Sequence, residues 1–217
     1  MKTIAVILAG CGNRDGSETH ETLSALLAVD KRGMQYQCFA PQGEFSVYNH
    51  IEGKPSGEKR NIMIEASRLC RGEIKPLSAY KAEDFDALLL PGGMGAAQNW
   101  SNYAFEGENM QVNAEVAEAV RSTNAAGKPI AAMCIAPMIL AKLLGDKHPT
   151  LTLGKDCPAA EHARKLGCKH QICTAEEVAV DKENKIITTP AYMVATHIAE
   201  IFAGADKMVE ELTKLIA

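Results

Sequence analysis

Apolar positions in this chain fall into short unbroken runs, with helically spaced segments between them. Thr3-Ile4-Ala5-Val6-Ile7-Leu8 is apolar on both faces and ends in Gly10, the pattern of a central parallel strand covered on each side. Asp86 to Leu90 and Pro129 to Met133 repeat that pattern, and Tyr36 to Ala40 is a shorter strand. Thr19 is placed to cap a helix carrying Leu23, Leu26, Leu27 and Val29, with a stop at Gly33. Further helices are predicted over Asn61 to Leu69, over Val112 to Ala126 with Gly127 as its stop, and from Cys134 to Gly145. Downstream, Thr150 to Leu153 reads as a strand, Ala159 to Leu166 as a short helix, and Ile198 to Ile216 as a closing helix. Val178 to Asp181 and Lys185 to Thr188 read as a strand pair, and Ser46 to Ile51 as an added edge piece. The alternation predicts an α/β three-layer sandwich, a mostly parallel sheet with helices on both faces, built as a single domain over residues 1–217.

Composition narrows the function. Lys and Arg number 23 against 27 Asp and Glu, with no basic block, which argues against a nucleic-acid binder. Aromatic residues make up 5% and do not interleave with basic ones. The longest apolar run, Ile130 to Ala141, contains Pro137 and falls well short of the roughly 20 residues of a membrane helix, so no membrane partner is expected. Leu8-Ala9-Gly10-Cys11 has the form of a lipoprotein cleavage box, but the apolar stretch before it is too short for a secretory core and is itself a good strand. Seven scattered cysteines form no paired framework, which fits a reducing compartment and a cytoplasmic location.

Chemistry in such sheets gathers beyond the carboxyl ends of the strands. Three loops there are informative. Cys134 lies where a buried strand turns into a helix with no intervening loop, between Ala132 and Ala136; a turn that sharp requires small flanking residues. The helix start there is expected to favour thiolate, although most free cysteines are simply small buried apolar residues. Pro91-Gly92-Gly93 leaves backbone N–H groups unobstructed beside that position, the form of an oxyanion site as well as of a plain turn. The loop Gly10 to Ser17 lacks the Gly-Lys-Ser/Thr of a phosphate loop and has the wrong spacing for a dinucleotide loop. It delivers Glu18 and Glu21 to the start of a helix, where a carboxyl can cap the helix or exchange protons with a nearby thiol. Cys157, His162, Cys168, His170 and Cys173 cluster in sequence without the Cys-x2-Cys pair of structural zinc, and His197 with Glu200 reads as a helix-face pair; no metal is expected.

Taken together, three motifs resemble the ThiJ/PfpI superfamily, whose members share the flavodoxin-like fold of class I glutamine amidotransferases. They are Gly16-Ser17-Glu18-Thr19-His20-Glu21-Thr22-Leu23 with Val29-Asp30-Lys31-Arg32-Gly33, then Leu90-Pro91-Gly92-Gly93-Met94-Gly95-Ala96-Ala97-Gln98-Asn99, then Ala131-Ala132-Met133-Cys134-Ile135-Ala136-Pro137. With Thr189-Pro190-Ala191-Tyr192-Met193 included, the chain resembles the bacterial ElbB branch, also described as sigma cross-reacting or enhancing-lycopene-biosynthesis proteins.

The resemblance implies a glyoxalase needing neither glutathione nor any cofactor, which converts glyoxal to glycolate, with protein deglycation as an extension. It makes Cys134 the nucleophile and Glu21 the acid/base, with Gly92 or Gly93 and the N–H of Ile135 holding the oxyanion. It also implies a homodimer. The motifs depart from the family's in two places. Leu151-Thr152-Leu153-Gly154 stands where many relatives carry a histidine, with His148 too early to match, and Thr189-Pro190-Ala191-Tyr192 replaces the late His-x-Glu of amidotransferases. Glutamine hydrolysis is therefore disfavoured and the histidine base is unassigned. A non-catalytic thiol redox sensor or holdase acting through Cys134 is the alternative.

Overall fold

The computed structural model describes residues 1–216. The chain forms β1 (Thr3–Ile7), α1 (Thr19–Lys31), β2 (Gln35–Ala40), β3 (Glu44–Asn49), β4 (Lys54–Asn61), α2 (Ile62–Ala66), β5 (Ile74–Pro76) and β6 (Ala87–Leu90). It continues through α3 (Met94–Gln98), α4 (Tyr103–Glu106), α5 (Ala114–Ala125), β7 (Ile130–Met133), α6 (Pro137–Leu144), β8 (Thr150–Leu151), α7 (Pro158–Lys165), β9 (Lys169–His170), β10 (Ala179–Asp181), β11 (Ile186–Thr189) and α8 (Ile198–Leu215).

Seven strands make the main sheet in the order β10-β11-β7-β6-β1-β2-β5. All neighbours are parallel except β10 and β11. β1 sits between β6 and β2 and is buried on both faces, which its uninterrupted apolar run requires. Its alternate residues feed two cores. Ile4, Val6 and Leu8 pack with Ala25, Leu26 and Val29 of α1 and Ile201, Met208 and Leu212 of α8. Ala5 and Ile7 pack with Val116 and Val120 of α5 and Ile139 and Leu140 of α6. Burying each of the larger aliphatic side chains among them contributes about 1.5–3 kcal/mol, so this strand is the anchor of the sandwich. Both faces are covered, giving the three-layer α/β architecture with a mostly parallel sheet.

Several local expectations need correction. Glu18, not Thr19, caps α1: its carboxylate accepts the Glu21 N–H at 2.7 Å, a geometry Thr19 cannot adopt from inside the first turn. The Ser46 to Ile51 piece is no edge of the main sheet. It lies largely within β3, which pairs with β4 as a separate antiparallel hairpin; β4 reads Lys-Pro-Ser-Gly-Glu-Lys-Arg-Asn, without a large apolar side chain because it is exposed almost everywhere along its length. The helix expected over Asn61 to Leu69 is shorter: Asn61 caps α2, and a 3₁₀ turn follows over Ser67–Cys70. Thr150 to Leu153 contributes only a two-residue strand, paired with β9 outside the main sheet. The strand pair β10 and β11 is present; His197 and Glu200, expected as a helix-face pair, instead cap α8, with His197 ahead of the helix and Glu200 accepting the N–H groups of Thr196 and His197 at 2.8 and 2.7 Å. The β3–β4 hairpin is tied back to the loop before α1 by Asp15, whose carboxylate accepts the Tyr48 N–H at 2.7 Å while its carbonyl accepts the Asn99 amide at 2.8 Å.

Candidate active site

β1, β6 and β7 lie side by side, so the loops beyond their carboxyl ends converge. Cys134 follows β7 directly and holds a left-handed backbone at φ 60°, costly for a residue with a Cβ. The turn survives because the surroundings fix it. Its N–H donates to the Thr189 carbonyl at 3.0 Å, Ala132 and Ala136 are fully buried beside it, and Pro137 opens α6.

Gly92 fills the gap left by β6. A Cβ there would lie 2.4 Å from the Cys134 Cβ and 2.5 Å from the Glu21 carboxylate, so only glycine permits the three groups to meet. Gly93, at φ 97°, is as constrained: a Cβ would reach 2.4 Å from both the Gly16 carbonyl and the Glu18 nitrogen. Main-chain bonds stitch this loop to the one after β1, from Glu18 N–H to the Gly92 carbonyl at 3.0 Å and from Gly95 N–H to the Gly16 carbonyl at 2.9 Å.

Glu21, wholly buried in the first turn of α1, lies against Cys134 across Gly92. One oxygen accepts the Gly92 N–H at 3.0 Å and the other the Tyr192 N–H at 3.3 Å. Gly92 therefore does not offer its N–H to an oxyanion; Gly93 and Ile135 are the residues whose N–H groups face the sulfur. Burial pushes the Glu21 carboxyl up to about 8, and the neighbouring Glu18 carboxylate adds to the rise. Burial also drives the Cys134 thiol well above the ordinary thiol range, reinforced by Glu21 and opposed by the Gly93 and Ile135 N–H groups. The expected thiolate preference at this helix start is thus corrected: desolvation beside a carboxyl outweighs the donors, and at neutral pH the resting pair holds its protons.

The thiol opens on a cavity of about 600 Å³. Arg14, Glu18, His20, Ile135 and Tyr192 line it with Cys134. His20 and Tyr192 stand within the quoted motifs without a role assigned to either, and the His20 Nδ1 and the Tyr192 hydroxyl are 2.7 Å apart. His148 is elsewhere, its Nδ1 bonded to the Gly167 carbonyl at 2.9 Å. The Cys/His cluster also disperses: Cys168 packs in a small core between α6 and α7, His162 pairs with Glu108 at 3.0 Å, and the His170 Nε2 accepts the Leu153 N–H at 3.1 Å. Among the described residues no group of three or more His, Cys, Asp or Glu side chains is arranged to hold a metal ion.

Comparison with known proteins places the chain in a family. The human mitochondrial glutamine amidotransferase-like class 1 domain-containing protein 3 is 38% identical, over 98% of this chain and 82% of its own. The crystal structure of an isoprenoid biosynthesis protein with an amidotransferase-like domain from Ehrlichia chaffeensis superposes with a TM-score of 0.90 at 34% identity, covering 98% of this chain and 99% of that one. A glyoxalase III from Candida albicans shares the fold, with a TM-score of 0.68 at 14% identity over 100% of this chain and 98% of the other. The sequence pattern of the DJ-1/PfpI family matches residues 15–191, which span the capping glutamate, the glycine loop and the cysteine turn, and the chain belongs to that family.

Proposed function

We propose that the chain is a glyoxalase independent of glutathione and metal, converting glyoxal to glycolate through a hemithioacetal on Cys134. The observation that carries this reading is the placement of the buried Cys134 thiol against the buried Glu21 carboxyl, both crowded onto Gly92, where a Cβ would lie 2.4 Å from the Cys134 Cβ and 2.5 Å from the Glu21 carboxylate. Once the pair sheds one proton, sulfur adds to an aldehyde carbon, and the carbonyl electrons move to oxygen beside the Gly93 and Ile135 N–H groups. Glu21 passes its proton to that oxygen. The carboxylate then takes the hydrogen of the same carbon and returns it to the neighbouring carbon, through an enediol, leaving a thioester. Water cleaves the thioester, releasing glycolate and regenerating the thiol. Because the resting pair is protonated, turnover at neutral pH is slow.

The wider reading is of an ElbB-like member, supported by the likeness to the protein described as isoprenoid biosynthetic. It includes a homodimer in a reducing, cytoplasmic setting; all seven cysteines are free, and Leu23 and Leu27 of α1 are each 48% exposed. Glycolate formation from glyoxal by wild type and Cys134→Ser, side by side without glutathione or metal, tests the activity. Cysteine-dependent glycolate is expected. Its absence from both overturns the reading and favours a redox role, which peroxide-added oxygen confined to the Cys134 peptide would show by mass.

A further inference from the structure

An enediol isomerisation moves two protons at once: one between adjacent carbons, the other between the oxygens those carbons bear. A single carboxyl cannot hold both. Glu21 is fixed below the sulfur by two backbone N–H groups, which suits it to the carbon-bound hydrogen and leaves the oxygens unattended. Among the other side chains lining the cavity, only Glu18, His20 and Tyr192 exchange protons readily, and Arg14 keeps its charge. One Glu18 carboxylate oxygen is occupied in capping α1, and the other lies 3.9 Å from the His20 Nδ1.

That leaves one arrangement. The Tyr192 hydroxyl and the His20 Nδ1 share a hydrogen bond of 2.7 Å at the cavity wall, with the rings 5.9 Å apart between centroids. The His20 side chain is 47% exposed, so the imidazole connects the tyrosine to bulk water. Resting on the proposed glyoxalase reading, we infer that Tyr192 and His20 form a proton relay that serves the substrate oxygens while Glu21 serves the carbons.

As Glu21 takes the hydrogen from the sulfur-bearing carbon, the electrons of that C–H bond form the carbon–carbon double bond, and the neighbouring carbonyl oxygen takes the Tyr192 proton. The His20 Nδ1–H replaces it and Nε2 takes one from water. In the second half Glu21 returns its hydrogen to the neighbouring carbon, the hydroxyl on the sulfur-bearing carbon becomes the thioester carbonyl, and the relay carries that proton out. The relay gives one proton and recovers one. It also accounts for the absence of a histidine after the elbow helix, since here the imidazole comes from α1.

Tyr192→Phe removes the phenol but keeps the backbone N–H that holds Glu21, so it separates the relay from the positioning of Glu21. Its kcat for glycolate formation is expected to fall about 10²-fold, with KM little changed and the rate of Cys134 alkylation by iodoacetamide unaltered. His20→Ala should lose a similar factor and regain much of it with free imidazole, which the exposed position admits. Wild-type activity retained within about twofold in both variants overturns the relay and leaves the glyoxalase reading standing. Loss in His20→Ala without imidazole rescue also overturns it, leaving a structural contact. A wild type that makes no glycolate overturns both together.

Discussion

The Glu21 carboxyl and the Cys134 thiol lie against each other in a pocket where neither charge is solvated, and the carboxyl raises the proton affinity of the thiol while the thiol partly offsets the rise that burial imposes on the carboxyl. The pair therefore behaves as one titrating unit, and most of what can be tested about this site follows from that.

Nucleophile reactivity should climb with pH. The thiol is held well above its ordinary range by burial and by Glu21, so the rate of Cys134 alkylation is expected to keep rising from pH 6 to pH 9. A rate that is flat from pH 6 to 9 would show a thiolate already present at neutral pH.

Stability should move the other way. An acid whose folded value lies above its unfolded value of 4.5 binds more protons in the native state, so stability is lost as pH rises through the interval from 4.5 to about 8 and levels off beyond it. Thermal unfolding at pH 5.5, 7 and 8.5 should show a falling Tm for wild type, and Glu21→Gln, which cannot ionise, should flatten that slope. Parallel slopes in the two proteins would remove Glu21 as the cause.

Gly92→Ala should be among the most damaging single changes in the chain. A methyl 2.4 Å from the Cys134 Cβ must push apart the thiol, the carboxyl or the β7 backbone. A stability loss of about 2–4 kcal/mol in denaturant unfolding is expected, with loss of Cys134 alkylation at its native rate. Unchanged unfolding would mean that the loop has slack which its main-chain bonds do not suggest.

At position 134 itself, removing the side chain should relieve strain. Cys134→Gly and Cys134→Ala are both expected to abolish turnover, but glycine accepts φ 60° freely while alanine does not. The glycine variant should be the more stable by about 1 kcal/mol. Equal stability would indicate that the turn relaxes once the sulfur is gone.

Much of this was legible from residue order. The unbroken apolar run of Thr3 to Leu8 identifies a doubly covered strand, and Ala132-Met133-Cys134-Ile135-Ala136 identifies the sharp turn, because in each case the sterics are local. β4 was not legible, since a hairpin strand exposed along nearly its whole length has no apolar periodicity to show. Nor was β5, three residues long with an exposed Lys75 between two half-buried neighbours. Tyr192 and His20 escaped for another reason. Their meeting depends on β11 and α1 being brought together at the same end of the sheet, and no local pattern encodes a contact across that sequence distance. The direction of the Cys134 shift was misjudged because helix position is read from sequence, whereas the degree of desolvation is not.

Asp15 holds the β3–β4 arm with its carboxylate and the α3 loop with its carbonyl. The hairpin has the outline of an insertion that could be trimmed from one homologue or grafted onto another. Its attachment makes it instead a brace for the loop that presents Gly16, Ser17 and Glu18 to the glycine turn. In exchanges between relatives, the arm and that loop therefore have to travel as one module: a chimera that replaces residues 44–61 and leaves Asp15 behind strands a buried carboxylate in the loop that leads into α1.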